Sequence, residues 1–242
     1  MTAPECSEAV PPFAAGFPGF VCGAGASAIL RGVSLLKLPK MYPITDRRLS
    51  GLSHAEQVAR LAEGGARVVQ LREKHLSPRE FYREAGEALR VARECGVKLI
   101  VNDRADIALA LGADGLHLGQ DDMPPDAARA LLGDGVVIGF STHNVAQAAE
   151  AARLPVDYVA IGPVFATSSK SNPDPVVGLE GVARAREAVG RLLLVAIGGI
   201  TRENARAVLA AGADSVAVIG ALLTTADPAE ITGRTRGFLD LL

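Results

Sequence analysis

The sequence is poor in three features that would each indicate a particular class of protein: cysteine, charge of one sign and unbroken apolar runs. Its 242 residues include three cysteines, Cys6, Cys22 and Cys95, whose spacing matches neither a set of metal ligands nor an even disulfide framework. Such a chain is typical of a reducing compartment, so we expect a cytoplasmic protein. Cys95, at the end of a predicted helix, is expected to be a small buried apolar residue.

Charge and hydropathy argue against two further classes. The 25 basic and 27 acidic residues are mixed along the chain and give a formal net charge of −2. This balance argues against a nucleic-acid or membrane partner, so any anion site must be local. The apolar stretch at residues 13–30 is interrupted by Pro18 and several glycines, and no basic segment precedes it. We therefore predict neither a signal peptide nor a membrane span.

Length and sequence texture predict the domain organisation. A chain of 242 residues fits one large α/β domain. Residues 1–34 are rich in Pro, Gly and Ala without periodicity, and we predict a flexible N-terminal extension there. Residues 35–242 are predicted to form a single catalytic domain.

From Lys40 onward, short apolar runs alternate with stretches that have helical spacing. The eight predicted strands are Met41 to Thr45, Arg67 to Arg72, Val97 to Asn102, Gly115 to Leu118, Val136 to Phe140, Tyr158 to Gly162, Leu192 to Ile197 and Ser215 to Ile219. Capping-box patterns at Ser53 to Glu56 and Ser77 to Glu80 predict helix starts between them. The nearly continuous apolar character of the strands indicates parallel pairing. We predict an α/β fold, a closed (β/α)₈ TIM barrel, with an open flavodoxin-like sheet as the alternative.

In such a barrel, functional side chains follow the strands at their carboxyl ends. Gln70, Arg72 and Lys74 end the second strand on one side of it, and an amide with two cations can bind an oxyanion. The alternative is a surface ion-pair ladder with Glu73. Ser141 ends the fifth strand and offers a hydroxyl, with the His143 imidazole just beyond.

Aspartates end the third and fourth strands. Mg²⁺ prefers one or two protein carboxylates together with water and phosphate oxygens, and Asp103 with either Asp121 or Asp122 meets that need. The alternative is that Asp103 caps the next helix and pairs with Arg104, while Asp121 and Asp122 are solvated.

Two loops suit phosphate groups. The connection at residues 165–175 carries hydroxyls and Lys170, and its length is typical of a lid over an active site, although it could be a plain surface loop. Gly198 and Gly199 follow the seventh strand and Gly220 follows the eighth, where backbone N–H groups usually bind phosphate in this fold. Two such regions indicate two phosphorylated substrates.

Taken together and in order, these segments resemble the thiamine phosphate synthase family from about Met41 to the C-terminus. The segments that carry the resemblance are Gln70 to Lys74, Val101 to Arg104, His117 to Asp122, Gly162 to Phe165 with Thr167 to Lys170, and Ala196 to Ile200. The resemblance implies a transferase of thiamine biosynthesis that joins hydroxymethylpyrimidine pyrophosphate to a thiazole phosphate with Mg²⁺.

The resemblance also implies residue roles. The metal ligands would be Asp103 and Asp122, and the catalytic cations Lys170, Arg72 and Lys74. The substrate-binding residues would be Gln70, Arg72, Lys74, Asn102, Ser141, Thr167, Ser169, Lys170, Gly199, Ile219 and Gly220. This chain departs from the family where Gly220 replaces a common serine and Ser169 a common threonine.

Two other functions fit parts of the pattern. A thiazole tautomerase on the same barrel would use His143 for proton transfer and would have no use for Asp122 beside Asp103. A non-catalytic protein that binds thiamine precursors would keep the phosphate loops without the metal site. The sequence leaves open whether copies of the chain form a homo-oligomer.

Overall fold

The computed structural model describes residues 38–167 and 174–242, in which eight short parallel strands alternate with helices. The strands are β1 (Met41–Pro43), β2 (Val68–Leu71), β3 (Lys98–Asn102), β4 (Gly115–Leu118), β5 (Val137–Thr142), β6 (Tyr158–Ile161), β7 (Leu193–Ile197) and β8 (Ser215–Val218). All eight predicted strands are found. The ends agree within two residues because the apolar runs that predicted them are the buried parts of the strands.

The sheet closes on itself. Each strand pairs in parallel with its sequence neighbour from β2 to β8, and β8 pairs with β1. Between β1 and β2 there is a bridge of Ile44 to Gln70, and the Thr45 N–H donates to the Gln70 carbonyl oxygen at 2.9 Å. The (β/α)₈ barrel is therefore confirmed, and the open flavodoxin-like alternative is wrong.

Helices cover the outside of the barrel. They are α1 (Arg47–Ser50), α2 (His54–Glu63), α3 (Pro78–Glu94), α4 (Ala105–Leu111), α5 (Pro125–Leu132), α6 (Val145–Ala151), α7 (Gly178–Val189), α8 (Ala205–Ala210), α9 (Gly220–Leu223) and α10 (Pro228–Leu239). Reciprocal capping boxes at Ser53 with Glu56 and Ser77 with Glu80 start α2 and α3, as predicted.

Both faces of the strands are buried, which gives two apolar layers. The larger lies between the strands and the helices. The smaller lies inside the barrel and includes Tyr42, Ile44, Val68, Ile100, Val137, Tyr158, Ala160, Val195 and Ala217. The inner layer fills the barrel below the carboxyl ends of its strands.

At the amino ends of the strands, three aspartates make the same type of hydrogen bond. Asp114, Asp157 and Asp214 each precede a strand and accept a backbone N–H from the preceding strand, from Leu99 at 2.9 Å, Ile138 at 2.7 Å and Leu194 at 2.8 Å. Arg129 and Arg186 pair with the second and third of these carboxylates. This end of the barrel is thus stabilised by charged hydrogen bonds.

Two further expectations concern Cys95 and the N-terminal residues. Cys95 is exposed just after α3, so the expectation of burial is wrong; a helix C-terminal position beside a glycine faces solvent here. The predicted flexible extension, residues 1–34, lies outside the described residues. Within the described ranges, no helix combines the length and apolar character that crossing a membrane requires.

Candidate active site

A cavity of about 980 Å³ opens at the carboxyl ends of the strands. The predicted site residues that line it are Gln70, Arg72, Lys74, Asn102, Asp103, Asp122, Ser141, Thr167, Gly199, Ile219 and Gly220. Ser169 and Lys170 lie outside the described residues. The barrel therefore gathers into one cavity residues that are up to 150 positions apart in the sequence, counting from Gln70 to Gly220.

Asp103 has a backbone conformation that is unusual for its residue type. Its φ of 63° lies in the left-handed region, where it is the single non-glycine residue among those described. Its N–H donates to the His117 carbonyl oxygen at 2.8 Å, which continues the β3 to β4 hydrogen bonding by one residue. Asp is one of the residues that tolerate this region, and such strain is concentrated at functional sites.

Asp103 does not play the part of a helix cap. The N-cap of α4 is Arg104, which makes no side-chain capping bond, and Arg104 pairs with Asp106. The alternative in which Asp103 caps α4 and pairs with Arg104 is therefore wrong.

Asp122 lies close to Asp103 and is held by the turn that follows β4. The Gly119 N–H donates to Asp122 Oδ2 at 2.7 Å. Burial raises the pKa of the Asp122 carboxyl above its ordinary value; the Asp103 carboxylate raises it further, and the Gly119 N–H and the Lys74 charge oppose the rise. Asp121 is exposed at the rim of the same cavity.

The donor set suits a hard cation with few protein ligands. In the described parts of the chain, no three His, Cys, Asp or Glu side chains converge as a metal cage. Two neighbouring carboxylates match Mg²⁺, which keeps several waters and accepts phosphate oxygens as further ligands. A bound cation would also relieve the repulsion between Asp103 and Asp122.

The two cations after β2 lie on the cavity side of their loop. Arg72 Nη1 lies 3.5 Å from Asp46 Oδ2, and Lys74 forms an ion pair with Asp103. Glu73 faces the other way and accepts from backbone N–H groups and His54. The alternative of an ion-pair ladder with Glu73 is therefore wrong.

A chain of hydrogen bonds crosses the floor of the cavity. Gln70 Nε2 donates to the Tyr42 hydroxyl at 3.3 Å, and the Tyr42 and Tyr158 hydroxyls are 3.0 Å apart. His117 then links Tyr158 to Ser141, with Nδ1 2.9 Å from the Tyr158 hydroxyl and Nε2 2.8 Å from Ser141 Oγ. Burial raises the pKa of both tyrosines, so their hydroxyls stay protonated.

This chain connects two predicted substrate-binding residues and contains two tyrosines that sequence reasoning missed. Tyr42 and Tyr158 lie in otherwise aliphatic strands, and a buried tyrosine hydroxyl needs a polar partner, which is the signal that was available. His117 is buried with both ring nitrogens hydrogen-bonded, and it also lines the cavity. Gly139 makes the room, because a β-carbon there would overlap the Tyr158 ring.

The loops after β6 and β7 approach each other closely on the other side of the cavity. The Phe165 N–H donates to the Gly198 carbonyl oxygen at 3.0 Å. Gly199 has a φ of 62°, and a β-carbon on it would lie 2.5 Å from a backbone oxygen of the β6 loop. Asn204 brackets the same turn, donating to the Gly199 carbonyl at 2.9 Å and accepting the Thr201 N–H at 2.9 Å. The turn therefore requires glycine and has a fixed backbone.

The family model described as thiamine monophosphate synthase matches residues 41–222, the barrel from β1 to α9. The chain belongs to the thiamine monophosphate synthase family. Proteins named thiamine-phosphate synthase are similar over most of their length. That of Clostridium novyi is 49% identical over 189 residues, which cover 78% of this chain and 92% of that protein.

Two further members of the family agree. The thiamine-phosphate synthase of Koribacter versatilis is 47% identical over 214 residues, covering 86% of this chain and 97% of its own. The solved structure of a thiamine phosphate pyrophosphorylase from Pyrococcus furiosus is 38% identical, with a TM-score of 0.73 and coverage of 83% of this chain and 95% of that one. The chain is therefore an enzyme of the transferase class, as predicted.

Gly220, which stands where a serine is common in the thiamine monophosphate synthase family, has space for a side chain. Gly220 begins α9, and a β-carbon added there would meet only Thr224 Cγ2 at 3.9 Å, an ordinary contact. The backbone at Gly220 is not in the left-handed region. A serine would therefore fit, and the glycine is not required by packing.

His143 lies at the rim of the cavity, just before the N-cap of α6. Its ring Nδ1 is 3.1 Å from the Gly162 carbonyl oxygen and 3.2 Å from Asp174 Oδ2. Its backbone N–H donates to Gln147 Oε1 at 2.7 Å. These contacts tie the β5 and β6 loops together. They give His143 a structural task at the rim.

Proposed function

We propose that the enzyme joins hydroxymethylpyrimidine pyrophosphate to a thiazole phosphate, forming thiamine phosphate and pyrophosphate with Mg²⁺. The observation that carries the proposal is the meeting of the Asp103 and Asp122 carboxylates with Arg72 and Lys74 on one wall of the cavity. A carboxylate pair can hold a divalent cation, and the cations can hold a polyanion beside it. The cysteine pattern supports a cytoplasmic location.

In the proposed reaction, bonds break and form in the two substrates, and the protein forms no covalent bond with either. The bond between the pyrimidine methylene carbon and a pyrophosphate oxygen breaks, and its electron pair leaves with the pyrophosphate. The electron-rich ring stabilises the resulting methylene cation, and the thiazole nitrogen then forms the new carbon–nitrogen bond. Catalysis therefore rests on neutralising the leaving group and aligning the acceptor.

Residues on the β2 to β4 side would receive the first substrate. Arg72 and Lys74 would bind the pyrophosphate, with Lys170 from the β6 loop as the third cation. Mg²⁺ held by Asp103 and Asp122 would supply further positive charge to the same oxygens.

The polar groups on the cavity floor would orient the pyrimidine. Gln70 and Ser141 end the buried chain of hydrogen bonds, and Asn102 is buried between them at the end of β3. The bonds to Tyr42 and His117 hold the Gln70 and Ser141 side chains, so their remaining donors and acceptors would face the ring in one arrangement.

Residues on the β6 to β8 side would receive the thiazole phosphate. Thr167 and Ser169 supply hydroxyls from the β6 loop. Gly199, Ile219 and Gly220 supply backbone N–H groups from turns that approach the cavity, which is the usual phosphate position in this fold.

The test is an assay of the purified full chain with both precursors, following pyrophosphate release with and without Mg²⁺. We expect thiamine phosphate and pyrophosphate in equal amounts, and loss of both when Mg²⁺ is chelated. Conversion of a thiazole precursor alone, without Mg²⁺, would favour the tautomerase. Binding of both precursors without any product would favour a non-catalytic binding protein.

A further inference from the structure

The connection from β2 to α3 carries two of the proposed pyrophosphate ligands with an oppositely charged residue between them. Arg72 and Lys74 line the cavity, whereas Glu73 lines a separate hollow of about 270 Å³. Neighbouring residues of an extended segment face opposite sides. The conformation of this short connection therefore decides whether both cations reach the cavity.

The Glu73 carboxylate fixes that conformation through the backbone. Its Oε1 accepts the N–H groups of Lys74 at 2.8 Å, His75 at 2.7 Å and Leu76 at 3.3 Å. Burial acts to raise the pKa of Glu73, but the bonds from His75 and His54 outweigh it and keep the pKa below its ordinary value. Glu73 is thus an ionised acceptor for three consecutive amides.

The buried His54 holds Glu73 in turn. His54 Nε2 lies 3.2 Å from Glu73 Oε2, and His54 Nδ1 lies 2.9 Å from Thr45 Oγ1. Burial lowers the pKa of His54, which favours the neutral ring. Because a carboxylate only accepts, Nε2 carries the proton and Nδ1 accepts from the Thr45 hydroxyl. The Thr45 hydroxyl also accepts the backbone N–H of Arg72 at 3.2 Å. The network therefore holds the connection at Arg72 as well as at residues 74–76.

We propose that Glu73 and His54 are positioning residues that hold Arg72 and Lys74 toward the substrate pyrophosphate without touching it. The inference rests on the proposed function, since it takes pyrophosphate as the anion. If the carboxylate is removed, three amides lose their acceptor and the connection samples other conformations. A displaced cation then binds the anion less tightly, although both cations are still present.

Inorganic pyrophosphate with Mg²⁺ is a probe for this effect that needs no turnover. We expect its dissociation constant, measured by calorimetry on the full chain, to rise roughly 10- to 100-fold in Glu73→Ala. The KM for the pyrimidine pyrophosphate should rise in parallel, while the KM for the thiazole phosphate stays within about twofold. Hydrogen exchange at residues 74–76 should become faster.

The matched control is Glu80→Ala. Glu80 is a capping-box carboxylate in the first turn of α3, just after the same connection, and accepts from Ser77. Its loss should lower helix stability and leave pyrophosphate affinity unchanged. If Glu73→Ala does not fold, Glu73→Gln keeps the shape and an acceptor oxygen, and we expect a smaller loss of roughly 3- to 10-fold.

Two results separate this inference from the proposed function. Pyrophosphate affinity in Glu73→Ala within about twofold of the unmodified chain would overturn the positioning role. No pyrophosphate binding by the unmodified chain would instead overturn the proposed function. In that case the exchange comparison between Glu73→Ala and Glu80→Ala still decides whether Glu73 orders the connection.

Discussion

In an Asp122→Asn variant we expect Mg²⁺-dependent synthesis to fall while the fold becomes no less stable. The asparagine Oδ1 can still accept the Gly119 N–H, which Asp122 Oδ2 accepts at 2.7 Å, so no amide loses its partner. The substitution also removes one of two neighbouring negative charges, whose repulsion contributes to the raised pKa of Asp122. Two like charges about 4 Å apart repel by about 1 kcal/mol in water.

The expected loss of activity is much larger. Removing one positioned charge from a transition-state site costs roughly 10²- to 10³-fold in turnover, or about 3–4 kcal/mol in the barrier. Pyrophosphate release over a Mg²⁺ titration and thermal unfolding of the same samples measure the two effects. Asp121→Asn is the control, because Asp121 is adjacent and exposed, and we expect nearly unchanged activity. Full activity in Asp122→Asn with loss in Asp121→Asn would refute the reasoning and assign the metal to Asp121.

Three other substitutions test separate parts of the molecule. Lys170→Ala should fold normally but turn over roughly 10²- to 10³-fold more slowly, and near-normal turnover would remove Lys170 from the proposed mechanism. Gly220→Ser should lower the KM for the thiazole phosphate by about 3- to 10-fold, since a side chain fits there and a hydroxyl adds one donor; an unchanged KM would mean that the hydroxyl does not reach the phosphate. Arg186→Ala should lower the free energy of unfolding by about 1–3 kcal/mol, because the Asp214 carboxylate keeps the Leu194 N–H but loses the guanidinium, and two nearby carbonyl oxygens lose a donor. Unfolding and kcat measured together should show lower stability with unchanged turnover, and a loss of kcat alone would contradict the structural role.

The elements of the fold could be predicted because their signals are local. A run such as Leu193–Ile197 is apolar on both faces, and this pattern predicts a buried parallel strand. The capping-box pattern of Ser77 and Glu80 spans four residues and predicts the start of α3, and both capping bonds are present. Closure into a barrel then followed from the number of units, because eight strands with short connections can complete a circle.

The parts that could not be predicted depend on contacts between distant elements. Period-two spacing placed Glu73 opposite Arg72, but it gave no sign that His54, 19 residues earlier, lies against it. The tyrosine chain joins β1 to β6, 116 residues apart, and no local pattern encodes that meeting. Asp121 and Asp122 have the same local sequence signal, and only the turn at Gly119 brings one of them beside Asp103.

If Mg²⁺ and pyrophosphate bind as proposed, the ion pair of Lys74 with Asp103 makes their binding interdependent. A metal ion at Asp103 would compete with the Lys74 ammonium for one carboxylate, and an anion in the cavity would draw the ammonium away from it. Each ligand should therefore increase the affinity for the other by the same factor. In Lys74→Gln we expect Mg²⁺ alone to bind up to about 5-fold more tightly, since the side chain is 45% exposed and such pairs contribute about 0.2–1 kcal/mol. Calorimetric titration of Mg²⁺ with and without pyrophosphate should also show weaker coupling in this variant. Weaker Mg²⁺ binding with unchanged coupling would mean that Lys74 and the metal do not share Asp103.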